Sequence, residues 1–529
     1  MSRLGTSGLS NRSVVGALVA ALAVTISCTA AWAESPALIE TARHQNAEAV
    51  QLLLAAGADP DTRQTDGATA LHWAAYQEDV DMLSALVQAG ANVNITNRLG
   101  ASPLYLAAKS GNAELIERLL NAGADPNLAL KIGETPLMTA SRAGTVEGVQ
   151  QMIAAGADVN AHETSREQTA LMWAVTQGHV DVVRVLVNAG ANLEARSKVR
   201  SRLMYVESSN GAAFDQGVVE QLGGYSPLLF ASAQGNVEIG QLLIRAEANI
   251  NGTAANGASP LVVATHSGHP EFVSLLLTAG ADPDAIAAGY NALHAAVLRG
   301  DLETVEALLA NGADPDVRLK RATPVQRASE DWALNSSLIS ATPYWLAAYY
   351  REPKIMSALA QGGANTLLTT EEVFREKGRT RKDRLSPPIP EPVGGFANAV
   401  QAAILGDSTR GRFYVQENPD PVGEERLALE AVIVAAEHGV DLNHPDFTES
   451  TALHYAAARN LPTVVRELAE RGADINTVNG RGRTPLDLAR AMENSSNFFN
   501  FDARAKPGLK PSEVLEEYSA RSSEIDRLP

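Results

Sequence analysis

Polar and hydrophobic positions recur along this chain in blocks about 33 residues long. Each block opens on Ser, Thr or Asn, then runs through apolar and small residues such as Ala107-Ala108 and Ala295-Ala296. It turns at pairs such as Gly111-Asn112, Gly178-His179 and Gly268-His269. A second apolar stretch follows at helical spacing, as in Val180, Val183, Leu186 and Val187, and closes on a glycine. The closing glycines Gly57, Gly90, Gly123 and Gly156 stand 33 apart, Gly190 follows at 34, and Gly280 and Gly312 are 32 apart. The pattern predicts two short helices per block, repeated many times.

The start of each first helix is written in its cap. Thr69, Ser102, Thr135, Thr169, Ser226, Ser259, Asn291, Thr342, Thr451 and Thr484 occupy equivalent positions. Each has a side-chain oxygen able to accept a bond from an orphan helix N–H. Pro103, Pro136, Pro227, Pro260, Pro343 and Pro485 come next, where the missing N–H costs nothing. The small-residue pairs let neighbouring helices approach closely, and the closing glycine accepts the left-handed conformation. Glu247 stands where a closing glycine is expected, at a cost of about 1 kcal/mol if that geometry is kept. One helix pair cannot bury its apolar face alone, so stability is expected from the interfaces between blocks. Residues 35–64 read as a degenerate first copy, and Gly480 to Met492 with Pro511–Ser519 as the closing end.

The clearest copies, Ala68-Thr69-Ala70-Leu71-His72-Trp73-Ala74-Ala75 and Ser450-Thr451-Ala452-Leu453-His454-Tyr455-Ala456-Ala457, resemble the ankyrin repeat. The resemblance implies an all-α repeat solenoid of stacked helix-turn-helix units with β-turn or hairpin tips, roughly 10–12 repeats counting degenerate ones. It also implies that a protein partner contacts the turn tips and the first-helix face, which line a concave groove. Mapped by position, the tips offer Arg98, Leu99, Lys131, Ile132, Glu134, Arg166, Tyr225, Asn256 and Tyr290. The ends of the first helices add Tyr76, Gln77, Lys109, Arg142, Thr176, Gln177, Gln234, His266, Arg299, Tyr349 and Tyr350. Aromatic and arginine side chains dominate binding hot spots. The candidate contacts are therefore Tyr76, Lys109, Arg142, Gln177, Tyr225, Tyr290, Arg299, Tyr349 and Tyr350. Trp73, Trp173 and Phe230 share one first-helix position and read as packing between repeats.

The regularity breaks in three places. The array expected over 34–369 carries insertions at 197–223 and 321–336, read as loops on one edge. An irregular basic and Pro-rich stretch follows at 370–426, with Arg375, Lys377, Arg379, Arg381, Lys382 and Arg384 ahead of Pro387-Pro388-Ile389-Pro390. Composition leaves two readings open for it: a flexible joint between two arrays, or an insertion across which one solenoid continues. Repeats resume over 427–505, and 506–529 is expected to hold a capping helix and tail.

Arg3 and Arg12, an apolar stretch from Val14 to Ile26 and the small residues before Ala31-Trp32-Ala33 read as a secretory signal over 1–33, cleaved after Ala33. The apolar stretch falls short of the roughly 20 residues a spanning helix needs, and no later segment is apolar enough. The rival reading, a lipid anchor at Cys28, is disfavoured by Thr25, which replaces the leucine such sites usually resemble. Cys28 is the single cysteine, so cleavage leaves no thiol, and the formal charge moves from −18 to −20 as Arg3 and Arg12 depart. Such acidity argues against nucleic acid and anionic lipid as partners. The expected location is periplasmic or secreted.

Nothing in the pattern addresses catalysis. His72, His294 and His454 each lie three residues after an N-cap, where the resemblance implies a structural hydrogen-bonding role, and none has a companion at metal-ligand spacing. The pairs Asp59/Asp61, Asp282/Asp284 and Asp314/Asp316 belong to the turns between repeats, not to a calcium loop. Nucleophile elbows, phosphate loops and dinucleotide fingerprints are absent, and no cofactor is implied. The expected function is a non-catalytic protein-binding scaffold. The alternatives are a secreted effector or adhesion factor acting on a foreign protein, and an accessory factor for an envelope enzyme.

Overall fold

The architecture is taken from a computed structural model that describes residues 34–205, 217–321, 323, 334, 338–376, 390–406, 420–494 and 509–525. The expected signal over 1–33 with Cys28, the basic and proline stretch over 377–389, most of 322–337 and both ends of the expected tail at 506–529 lie outside the described residues.

The chain divides into two compact units, Met1–Ala195 and Arg196–Pro529. The first holds five helix pairs: α1 (Glu34–Arg43) with α2 (Ala47–Ala55), α3 (Ala70–Tyr76) with α4 (Val80–Gln88), α5 (Pro103–Ser110) with α6 (Ala113–Asn121), α7 (Pro136–Ala143) with α8 (Val146–Ala154), and α9 (Ala170–Gln177) with α10 (Val180–Asn188). The second opens on a hairpin, β1 (Arg200–Tyr205) and β2 (Gly217–Leu222), and continues with α11 (Pro227–Gln234), α12 (Val237–Arg245), α13 (Pro260–Ser267), α14 (Pro270–Thr278), α15 (Ala292–Arg299), α16 (Leu302–Ala310), α17 (Pro343–Tyr349) and α18 (Pro353–Gln361). A second hairpin, β3 (Val373–Glu376) and β4 (Pro390–Gly394), precedes α19 (Ala399–Leu405), α20 (Pro421–Glu437), α21 (Ala452–Ala458), α22 (Pro462–Glu470), α23 (Pro485–Glu493) and α24 (Pro511–Ile525).

Within each unit first helices pack on first helices and second helices on second helices, forming an all-α repeat solenoid. The core is the seam between rows. Leu71, Leu104, Leu137 and Leu171 from first helices and Leu83, Ile116, Val149 and Val183 from second helices are all within 1% of full burial. The caps are as their sequence requires: Ser102 Oγ accepts from Tyr105 N at 3.1 Å, and Thr135 Oγ1 from Met138 N at 3.3 Å.

Two sets of polar bonds tie one repeat to the next. At the turns between repeats, an Asn or Asp carbonyl-type oxygen accepts the backbone N–H of the following repeat, as Asp61 from Asn92 (2.8 Å), Asn94 from Asp125 (2.8 Å) and Asn127 from Asp158 (2.7 Å). At the ends of the first helices a side chain from the following repeat donates to the open carbonyls. Gln77 Nε2 reaches Arg43 O at 2.8 Å, and Arg299 Nη1 reaches His266 O at 3.0 Å. His179 Nε2 and His269 Nε2 face Arg142 O (3.0 Å) and Ala233 O (3.1 Å) in the same way. The close approach of His179 explains Gly144, whose φ is +83° and whose added Cβ would meet the imidazole at 2.7 Å.

The buried histidines work inside the tips. His72 Nδ1 accepts from Thr69 N at 3.1 Å, so its proton sits on Nε2, which donates to Ala101 O at 3.0 Å. His454 repeats this between Thr451 N and Arg483 O. Burial lowers the pKa of all three, that of His294 to about 4.

Three boundaries differ from composition. The insertion at 197–223 is not a plain loop: β1 and β2 pair antiparallel, Leu203 opposite Val219. Within 370–426, β3 and β4 also pair, and α19 is a full first helix packed between α17 and α21. Its signal was present in the sequence: Asn398 and Gln401 form a capping box, Gln401 Oε1 accepting from Asn398 N at 2.8 Å. Gln401 Nε2 then donates to Ser450 O (2.9 Å), the task His72 performs elsewhere. At the closing end α24 packs on α22 and α23, with Val514 and Leu515 buried. Glu247 keeps the left-handed backbone of a closing glycine, with φ +67°.

Candidate partner-binding surfaces

In the first unit the tips form a stitched row. Arg98 N donates to Asp66 O (2.7 Å), Lys131 N to Leu99 O (3.0 Å) and Thr164 N to Ile132 O (2.8 Å), so each tip is fixed by the one before it. Asn97 Oδ1 closes its own turn by accepting from Leu99 N and Ala101 N. This arrangement holds Leu99 and Ile132 in water, 71% and 47% exposed. Tyr76, at the end of α3, is 61% exposed and meets Trp73 edge-on at 6.0 Å. Lys109 and Gln177, at the ends of α5 and α9, are exposed as well.

Arg142 is held differently. Its guanidinium pairs with the buried Glu134 at 3.2 Å and lies 5.0 Å from the centre of the Trp173 ring, while Glu134 also accepts from Thr139 Oγ1 at 2.9 Å. The side chain is thus a strut between two repeats with one edge left to solvent. Burial, with Glu134 close by, raises the pKa of Tyr105 in the same cluster. Trp73 has a similar neighbour in Arg43, 5.7 Å from its ring centre.

The second unit brings Tyr225 and Tyr290 together. They line a cavity of about 220 Å³ with Glu220 and Leu222 of β2, His266 of α13 and Arg321. Arg321 Nη2 donates to Asn256 O and Ala288 O, both at 3.1 Å, and lies 3.5 Å from the carboxylate of the buried Glu220. Burial pushes the Tyr290 hydroxyl up to about 12, with Tyr225 as the next cause, and burial raises that of Tyr225 too. Both phenols are therefore neutral hydrogen-bonding groups at physiological pH, suited to holding a side chain and not to attacking one.

The remaining candidates are committed to the fold. Arg299 caps α13, as above. Tyr350 is 4% exposed, which removes it from any ligand surface: the sequence places it at a helix end, but its ring meets Tyr349 edge-on at 5.3 Å within the packing between repeats. Tyr349 is half-buried and stacks on Trp345 at 5.6 Å. Sequence reasoning named Glu134 as a tip residue but not as the partner of Arg142, and it missed Glu220 and Arg321, which carry no local signal of their own. Among the described residues no cluster of three or more His, Cys, Asp or Glu is placed to hold a metal ion, and no helix is long and apolar enough to cross a membrane.

A family model described as ankyrin repeats (3 copies) matches residues 38–129, 104–197, 206–287 and 228–319, and one described as ankyrin repeats (many copies) matches 435–489. These spans cover more than half of the chain. It belongs to the ankyrin-repeat family. This ankyrin-repeat protein is similar to the ankyrin repeat domain of human ASB11, with 27% identity and a TM-score of 0.38 over 47% of this chain and 99% of that one. Among curated proteins none matches it. The ankyrin repeats mark the chain as a protein-interaction scaffold.

Proposed function

We propose that the protein is a non-catalytic scaffold, periplasmic or secreted, that holds a protein partner against the tip and first-helix face of its repeats. The observation that carries this reading is the set of large apolar side chains standing in water on one face of the first unit, Tyr76, Leu99 and Ile132. Two of them recur at the same position of successive repeats, on tips whose backbone is already fixed, so a partner would order little on binding. Export rests on the sequence of residues 1–33.

The test is capture from envelope and culture-medium extracts by residues 34–529, alongside a Tyr76→Ala, Leu99→Ser, Ile132→Ser variant. A partner retained by the parent chain and lost from the folded variant is the expected result. Equal capture by both, or none by either, would sink the reading. N-terminal sequencing of the exported chain is expected to begin at Glu34; an uncleaved Met1 chain inside the cell would remove the location.

A further inference from the structure

The first unit is strongly polarised in charge. The tips and first helices of its second to fifth repeats, residues 62–77, 95–110, 128–143 and 161–177, carry six cationic and four acidic side chains, net +2. The rest of its repeats, residues 44–61, 78–94, 111–127, 144–160 and 178–195, carry two cationic and thirteen acidic side chains, net −11. Two of the four acids on the positive face are withdrawn from solvent: Glu134 is paired with Arg142, and Glu163 is 2% exposed with its carboxylate bonded to the backbone N–H of Ser165, Arg166 and Gln168. The cations Arg98, Lys131 and Arg166 are exposed on the tips, and none forms an ion pair among the described residues. Leu99 and Ile132 stand beside the first two.

We infer that this row of tips binds an acidic, extended protein segment, with a carboxylate at about every third residue and aliphatic side chains between. The inference deepens the scaffold reading and rests on it. Adjacent repeats are about one helix diameter, ~10 Å, apart, and an extended chain in the polyproline II form advances ~3.1 Å per residue with about three residues per turn, so that residues three apart share a face. A carboxylate three residues after another therefore meets the next tip cation. The tips are stitched together before any ligand arrives, so their cations are held in register. The leucine and isoleucine favour a peptide over nucleic acid, because aliphatic side chains between the carboxylates can pack on them.

The experiment is fluorescence anisotropy on the full chain, using a labelled peptide with Glu at every third position and Leu or Thr between. Comparison probes are the same peptide with Lys for Glu, a DNA duplex, and vesicles of anionic lipid. The Glu peptide is expected to bind about tenfold more weakly as salt rises from about 0.05 to about 0.3 M, as exposed charge contacts are screened. Binding is expected to drop at least about tenfold in an Arg98→Glu, Lys131→Glu, Arg166→Glu variant and to stay unchanged in Glu117→Lys on the opposite face. Circular dichroism and thermal melting should match the parent in both, since these side chains hold nothing in place. Equal binding by parent and triple variant, no binding of the Glu peptide, or preference for the Lys peptide, DNA or vesicles would overturn the inference. If the triple variant still captures the partner from extracts, the scaffold reading stands and the acidic partner falls; if no partner is captured at all, the reading itself falls.

Discussion

Single residues carry two kinds of information here, one visible in sequence and one not. Glu247 is visible: a non-glycine at a closing position, held at φ +67°. Glu247→Gly is expected to raise stability by about 1 kcal/mol, read as an upward shift in the urea midpoint. His294 is visible as the third residue after an N-cap, but its depth is not. Its pKa falls from 6.5 to about 4 because burial disfavours the charged ring. Since the unfolded chain binds the proton more readily, the stabilising contribution is complete above pH 6.5 and is lost as pH falls through about 4. That difference amounts to about 3 kcal/mol. Unfolding curves across this window are expected to show a shallower pH dependence in His294→Gln than in the parent. The strut formed by Arg142, Glu134 and Trp173 was legible only as separate residues, because Trp173 arrives from the next repeat and spacing along the chain does not say which charges face one another.

At the level of elements, the caps, prolines and closing glycines located the helix pairs, because each of those residues answers a local backbone demand. Where a repeat was concealed, the cause was composition: a Pro-rich and basic neighbourhood masked Asn398-Ala399-Val400-Gln401, the start of α19. The helix is held by a residue far away in sequence. Arg351, 5% exposed, donates from Nε to Ala403 O at 3.1 Å and from Nη2 to Gly406 O at 2.6 Å, and its Nη1 meets both the carbonyl and the carboxylate of Glu424. Arg459 adds bonds to Ile404 O and Gly406 O from the other side. One guanidinium therefore joins the end of α19 to the start of α20. Arg351→Ala is expected to cost about 3 kcal/mol or more, because it strands a carboxylate and several buried carbonyls. Arg351→Lys should rescue little, since an ammonium cannot reach that spread of acceptors. Hydrogen exchange at the amides of α19 would locate the loss.

For the whole molecule, the repeat period settled the fold, while the division into units at Ala195 and the hairpins at the insertions were beyond it, being products of where the period is interrupted. With Cys28 as the single cysteine, no disulfide can form within the chain, and reductant is expected to leave the melting temperature of the monomer unchanged. Stability must then come from neighbours, and the neighbour bonds have a direction. Gln77 reaches back 34 residues to Arg43, His179 reaches back 37 to Arg142, and Asn92 reaches back 31 to Asp61. In a chain emerging from its N-terminus, the first helices whose last turns hold Arg43, Arg142, Ala233 and His266 thus wait with open carbonyls until roughly one more repeat has appeared, so their completion runs one step behind synthesis.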